Sequence, residues 1–216
     1  MLEGIKLVIF DLDGVLTETS NQHFTAWQSM AKKIGVTLAP EFEEKLKGVS
    51  RTESLNRILE LTDRVFSDDE KQRLQDQKNK HYQSLIQDFD ESHLFEGVKP
   101  LLKLLKSKGI LLALGSASKN GPTLIKALGI DQAFDYIVNP QNLRSKPHPD
   151  IFLEPMLHYG LDAKACIGIE DADAGVRAIK AANMFAIGIG NQENLPDADI
   201  HFPNILALYE TLKSTQ

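Results

Sequence analysis

The 216-residue chain has little of what marks several protein classes. Cys166 is its only cysteine, so no internal disulfide can form, which fits a reducing cytoplasm. That cysteine stands in the strand-like run Ala165-Cys166-Ile167-Gly168-Ile169, where a small buried apolar role suits it better than catalysis. No apolar stretch approaches the length of a membrane span. The chain enters its first strand without a charged segment followed by a long apolar one, so no secretory signal is expected. It has no basic stripe: the net charge is −6, with both signs mixed along the chain, which argues against a nucleic-acid partner. Internal repeats and low-complexity segments are also lacking. The expectation is a cytoplasmic protein with neither nucleic-acid nor membrane partners. Nothing demands a dimer, and a monomer is expected.

What the chain does have is 42% hydrophobic residues, enough for a real core, and a clear change of pattern along its length. The apolar run Leu7-Val8-Ile9-Phe10 reads as a strand buried on both faces. Helical spacing follows over 21–35, with Asn21 as N-cap and Gly35 as stop. A short helix at Pro40–Leu46, a loop at Gly48-Val49-Ser50-Arg51 and a helix carrying Leu55, Ile58 and Leu59 come next. A charged helix over 67–87 opens with a Ser67 cap and acids in its first turn. Beyond it, helices at 97–108, 121–128, 150–159, 172–182 and 204–213 alternate with strands at 110–114, 136–138, 165–169 and 184–189. This alternation predicts an α/β fold with a Rossmann-like parallel sheet core, residues 1–16 and 90–216. Residues 17–89 form an inserted all-α helical-bundle cap, joined by two stems on which it can rock as a lid.

Ligands of open parallel sheets bind beyond the carboxyl ends of the strands. The first strand ends in Asp11-Leu12-Asp13-Gly14. In extended backbone the two acids point the same way, which is costly unless a cation lies between them, and Mg²⁺ is the usual one beside phosphate. The strand at 110–114 ends in Ser116, ahead of a helix start suited to anions; Ser118 or Asn120 can serve there as an ordinary N-cap. The strand at 136–138 leads to Ser145-Lys146-Pro147, where Lys146 is either a solvated charge or a functional one. The strand at 165–169 ends in Glu170-Asp171, which supply further metal oxygens, with capping of the next helix as the other role open to Asp171.

Asp11-Leu12-Asp13-Gly14-Val15-Leu16-Thr17, then Ser116, Lys146-Pro147 and Glu170-Asp171, in that order and each after a strand, resemble the four motifs of the haloacid dehalogenase superfamily. The resemblance covers the whole chain, the cap included. It implies a Mg²⁺-dependent phosphoryl-transfer enzyme. Asp11 would be the nucleophile that becomes an aspartyl phosphate. Asp13 would be the general acid and base, its backbone carbonyl also on the metal. Ser116, Ala117 and Lys146 would hold the transferring phosphoryl group, and Asp11, Glu170 and Asp171 the metal. The physics fits, because this chemistry needs positioning and charge neutralisation above all.

The segments Thr17–Trp27, Leu46–Ser54 and Ser116–Gly121 are similar to those of the β-phosphoglucomutase family within that superfamily. That likeness implies a sugar-phosphate substrate and β-glucose 1,6-bisphosphate as intermediate, whose second phosphate needs its own clamp. Arg51 suits it, because guanidinium binds phosphate in a fork. His23, Trp27, Gly48, Val49, Ser54 and Lys78 in the cap, and Ser118, Lys119 and Asn120 in the core, match the family's substrate region. Bland roles stand beside these: Trp27 as cap core, Lys78 as a solvated charge, Arg51 as a helix-capping residue or paired with Glu53 or Glu43, and Asp173 facing solvent. The competing functions are a sugar-phosphate phosphatase using the same aspartyl chemistry and a non-catalytic sugar-phosphate sensor.

Overall fold

The computed structural model describes residues 2–214; Met1, Thr215 and Gln216, at the ends of the expected core range, lie outside them. The run Leu7–Phe10 forms β1, buried along its whole length as its lack of polar residues requires. It lies inside a six-stranded sheet with β2 (Leu111–Leu114), β3 (Tyr136–Ile137), β4 (Cys166–Glu170), β5 (Phe185–Ile189) and β6 (Ile200–Phe202), in the order β3-β2-β1-β4-β5-β6. Every pairing is parallel. The register sets Phe10 beside Leu114 on one side and Ile169 on the other, so the tips of β1, β2 and β4 end together.

Helices α4 (Val98–Ser107), α5 (Gly121–Ala127), α6 (Asp150–His158), α7 (Asp173–Ala181) and α8 (Ile205–Ser214) cover the sheet. Two apolar clusters result. One holds Val8, Phe10 and Leu112 with α4 and α8; the other holds Leu7, Ile9 and Cys166 with α6 and α7. The alternating faces of β1 thus feed both. The order of strands reverses direction beside β1, between β2 and β4, which is where ligands settle in open α/β sheets.

Between β1 and β2 come α1 (Ser20–Lys33), α2 (Arg51–Leu59) and α3 (Asp68–Leu85). They share a third apolar cluster around Phe24, Trp27, Met30, Leu55, Ile58 and Leu74. Pro40–Leu46 is a 3₁₀ segment rather than an α-helix, and none of its residues is buried. The stems touch each other: Thr17 bridges to Leu94, and Phe95 N donates to Leu16 O at 3.0 Å.

Three local expectations change. Helix α1 starts at Ser20 with Thr19, not Asn21, at the cap position, and the Thr19 hydroxyl is spent elsewhere. Asp171 does not cap α7; Ala172 holds that position without a side-chain bond. The third change is β6, a strand beyond those expected from the helix–strand alternation. Its three residues follow Pro196-Asp197-Ala198-Asp199 and include His201, too short a run to show alternation.

Candidate active site

Asp11 follows β1 directly and continues its ladder, donating from its backbone N to Ile169 O at 3.0 Å. Its side chain is buried, with Oδ1 accepting from Lys146 Nζ at 2.6 Å. Lys146 is 2% exposed and donates also to Glu170 Oε1, so the solvated-charge reading fails for it. Glu170 is the last residue of β4 and fully buried; its Oε2 accepts from the backbone N–H groups of Asp171 at 3.0 Å and Ala172 at 3.2 Å. Ser116 is buried beside this group, its Oγ accepting from Ser118 N at 3.1 Å.

Two glycines make room for the acids. Gly14 has φ +80°, and a Cβ on it would fall 2.0 Å from Asp171 Oδ2. A Cβ on Gly175 in α7 would fall 1.9 Å from Glu170 Oε1. One carboxylate oxygen each from Asp11, Glu170 and Asp171 then lies within 4.8 Å of the others. This is an all-oxygen donor set of the kind hard divalent cations take.

The electrostatics call for such a cation. Burial lowers the pKa of Lys146, but Asp11 and Glu170 outweigh it and the ammonium is held above its ordinary value. Burial pushes Glu170 up to about 7 against the pull of Lys146. Burial and the neighbouring acids Glu170, Asp11 and Asp13 raise Asp171 well above the carboxylate range. One ammonium does not balance three carboxylates, and the surplus charge suits Mg²⁺.

Asp13 stands apart from this cluster. Its Oδ1 accepts from the Thr19 hydroxyl, and its Oδ2 lies 4.0 Å from His23 Nε2. Burial and Asp11 push its pKa up to about 7. A metal role for Asp13 therefore rests on its backbone carbonyl, leaving the carboxyl free to hold a proton.

The helical segment between β1 and β2, the expected cap, supplies the opposite wall. Lys78, on the charged helix α3, is 3% exposed, not solvated. Its Nζ meets His23 Nδ1 at 2.6 Å and lies over the rings of Trp27 and Tyr82, 4.9 and 4.8 Å from their centroids. Burial brings Lys78 down to about 7 and holds His23 well below its ordinary value. An ammonium only donates, so His23 accepts at Nδ1 and keeps its proton on Nε2, toward Asp13. Arg51 pairs with neither Glu53 nor Glu43: its Nη2 donates to Asn79 Oδ1 at 2.8 Å, while Glu53 pairs with Arg57. Trp27 serves both expected roles, buried in the cap cluster and lining the cavity. Asp173 is exposed and faces Arg177 at 3.8 Å, away from the metal cluster.

One cavity joins the two walls. It is lined by Asp11, Asp13, Ser116, Ala117, Ser118, Lys119 and Asp171 from the sheet side and by His23, Trp27, Gly48, Val49, Arg51, Ser54 and Lys78 from the cap. Of the expected site residues, Lys146 and Glu170 sit behind the cavity wall and Asn120 beside it.

Residues 5–183 match the haloacid dehalogenase-like hydrolase family. The chain belongs to that family. A β-phosphoglucomutase of Bacillus subtilis is 41% identical over 199 residues, covering 91% of this chain and 88% of the relative. The crystal structure of a β-phosphoglucomutase from Clostridium difficile superposes with a TM-score of 0.93 at 42% identity, covering 97% of this chain and 96% of that one. A phosphorylated carbohydrates phosphatase of Thermotoga maritima is 27% identical over 83% of this chain and 82% of its own length.

Within this haloacid dehalogenase-like scaffold, several residues reach the site that sequence reading assigned no role. Thr19 holds Asp13, and Tyr82 donates to Thr19 Oγ1 at 3.3 Å while stacking on His23 with ring centroids 3.9 Å apart. Lys47, Glu43 and Ser20 line the cavity. Asn79 and Gln83 face the core from α3. The available signal was spacing: Lys78 and Tyr82, like Asn79 and Gln83, are four apart and share a helix face.

Proposed function

We propose that this family member is a β-phosphoglucomutase, interconverting β-D-glucose 1-phosphate and D-glucose 6-phosphate through an aspartyl phosphate and β-glucose 1,6-bisphosphate. The observation that carries the reading is one cavity with phosphate-holding groups on both sides: Lys146 and the carboxylates that would hold Mg²⁺ on the sheet side, Arg51 and Lys78 on the cap side. A sugar with phosphates at both ends fits such a cavity; a monophosphatase needs only the first. The identities to β-phosphoglucomutases exceed that to the carbohydrate phosphatase, and they support the same choice.

In this reading residues 1–16 and 90–216 are the core and 17–89 the cap, and the protein works as a cytoplasmic monomer. Asp11, Glu170, Asp171 and the Asp13 carbonyl would hold Mg²⁺, which when bound supplies charge neutralisation beside the phosphoryl group. Asp11 attacks phosphorus, and the bond from phosphorus to the sugar oxygen breaks as the bond to the Asp11 oxygen forms. Asp13 gives its proton to the departing oxygen. In the second transfer Asp13 takes the proton of a sugar hydroxyl, which attacks the aspartyl phosphate and frees Asp11. Ser116 and Ala117 with Lys146 keep the phosphoryl oxygens in place. Arg51 holds the phosphate that does not transfer, and Ser118, Lys119 and Asn120 border the sugar between the two ends.

The test is product analysis with β-glucose 1-phosphate, Mg²⁺ and catalytic bisphosphate. Glucose 6-phosphate is expected with little free phosphate. Stoichiometric free phosphate without glucose 6-phosphate overturns the mutase in favour of a phosphatase.

A further inference from the structure

Asn120, in the loop between β2 and α5, is 8% exposed, and both ends of its amide are taken by cap residues. Its Nδ2 donates to Asn79 Oδ1 at 2.9 Å, and its Oδ1 accepts from Gln83 Nε2 at 3.1 Å. Asn79 and Gln83 are one turn apart on α3, so a single helix face grips this core side chain. The same Asn79 Oδ1 accepts from Arg51 Nη2 at 2.8 Å. A continuous chain therefore runs Gln83–Asn120–Asn79–Arg51, crossing from cap to core and back.

The polarity of that chain is dictated from one end. Arg51 has donors only, so Asn79 must turn its oxygen toward it. That oxygen can then take only an N–H from Asn120, which leaves the Asn120 oxygen outward and obliges Gln83 to donate. Every orientation follows from the guanidinium, and each amide atom involved has a partner of the right kind. A buried amide such as Asn120 loses both bonds when the cap lifts away, and the two groups of Asn79 and Gln83 regain only water.

The chain also reaches the phosphate loop. Asn120 N donates to Ser118 Oγ at 3.3 Å, and Ser118 N donates to Ser116 Oγ at 3.1 Å. Ser116 lines the cavity from the sheet side and Arg51 lines the same cavity from the cap side. A shift of Asn120 is thus felt on both sides.

We propose that Asn79 and Gln83 are positioning residues: they form an uncharged latch that closes the cap and aims Arg51 at the non-transferring phosphate. The proposal rests on the two-phosphate reading of the cavity. Neither residue lines the cavity. The latch contributes to the doubly phosphorylated sugar, whose binding requires a closed cap with Arg51 in place, and contributes nothing to attack on a small aryl phosphate at Asp11. Built from amides, it holds equally across neutral pH.

Gln83 is the residue to test, because it meets only Asn120. Gln83→Glu keeps the shape and removes the donor; Gln83→Lys keeps a donor. KM for β-glucose 1,6-bisphosphate in the mutase assay is compared with kcat/KM for hydrolysis of an aryl phosphate. Gln83→Glu is expected to raise that KM by about tenfold, the scale of one lost hydrogen bond and one stranded acceptor. Aryl phosphate hydrolysis should hold or rise, and Gln83→Lys should recover most of the KM. Equal losses on both substrates, or an unchanged KM in Gln83→Glu, overturn the latch. Small-angle scattering of the substrate-free protein gives a reading that survives failure of the mutase assignment. The radius of gyration should increase in Gln83→Glu and return in Gln83→Lys. A parent enzyme without mutase activity that still shows this pattern rejects the substrate and keeps the latch; identical scattering of all three proteins rejects the latch.

Discussion

The hydroxyl of Thr19, in the first stem of the cap, donates to Oδ1 of Asp13 at the tip of β1. A residue of the proposed hinge thus holds the carboxyl proposed to shuttle the proton. Tyr82 holds Thr19 in turn, at 3.3 Å, and stacks on His23, so the grip extends to α3. Under the proposed roles, this contact would couple proton transfer to the exclusion of water.

That coupling fixes a pH dependence. Burial and Asp11 raise the Asp13 pKa to about 7, and the Thr19 bond, made to the charged form, pulls it back. The protonated donor is present below that value and disappears as pH rises through it, so kcat for the mutase should fall on the alkaline side of about 7. Thr19→Val removes the bond that favours the carboxylate. Its alkaline limb should therefore move upward, by about one pH unit. A limb that stays in place, or moves down, removes Thr19 from control of Asp13.

The Lys146 ammonium pairs with both Asp11 and Glu170, and it is as buried as they are. Lys146→Met should cost about 3–5 kcal/mol in urea unfolding at pH 8 without divalent metal, because it leaves buried carboxylates unpaired. Glu170 already titrates near 7 and rises further without its partner. Its protonation relieves the strain, so the loss should shrink as pH falls from 8 toward 7, where the parent's Glu170 is protonated too. A loss under about 1 kcal/mol at pH 8, or one independent of pH, contradicts the role given to this pair.

How much of this was legible beforehand follows from where each residue's partners lie. Asp11, Asp13, Ser116, Lys146 and Glu170-Asp171 sit at strand tips, and strand tips are readable from apolar runs of four or five residues. The alternation of helix and strand after residue 97 likewise gave the parallel sheet, save for β6, whose three residues are too few to show a period. The cap site was harder. Lys78, Asn79, Tyr82 and Gln83 lie on a helix so rich in charge that its buried face is hidden among solvated residues. Their partners His23, Thr19, Arg51 and Asn120 are between 28 and 63 positions away, and no local pattern links such pairs. The Asn120 side chain illustrates the limit: its type and place suggested an N-cap, yet its amide is spent on α3.

Lys78 should be a residue whose removal stabilises the protein and weakens the enzyme. Its folded pKa is about 7, below the 10.5 of an exposed lysine, because burial disfavours the charge. Between those two values the unfolded chain binds a proton that the folded one does not, so stability rises with pH across this window. Lys78→Met abolishes the effect. The variant should exceed the parent by about 1–4 kcal/mol at pH 6–7, with the gap closing toward pH 10. Mutase turnover should fall by about tenfold or more, since His23 loses the donor that fixes its tautomer. Thermal unfolding at several pH values checks the first claim. A variant less stable than the parent at pH 6 sinks it.

Gly14 offers a test of the metal cluster that leaves every carboxylate in place. Gly4 and Gly14 have nearly the same backbone, φ +77° and +80°, but different surroundings. Nothing lies within 4 Å of a Cβ on Gly4, whereas one on Gly14 collides with Asp171 Oδ2. Alanine at Gly4 should therefore report the cost of the left-handed backbone alone, about 1–2 kcal/mol. Alanine at Gly14 adds displacement of a proposed metal ligand. Melting each protein in chelator and then in excess Mg²⁺ separates the two effects. At a hundredfold excess over Kd the parent should gain about 2.7 kcal/mol from the ion, and Gly4→Ala should keep that gain. Gly14→Ala should lose most of it, because Asp171 can no longer reach the oxygens of Asp11 and Glu170. If Gly14→Ala is stabilised by Mg²⁺ as fully as Gly4→Ala, Asp171 is not a ligand and the glycine serves the turn alone.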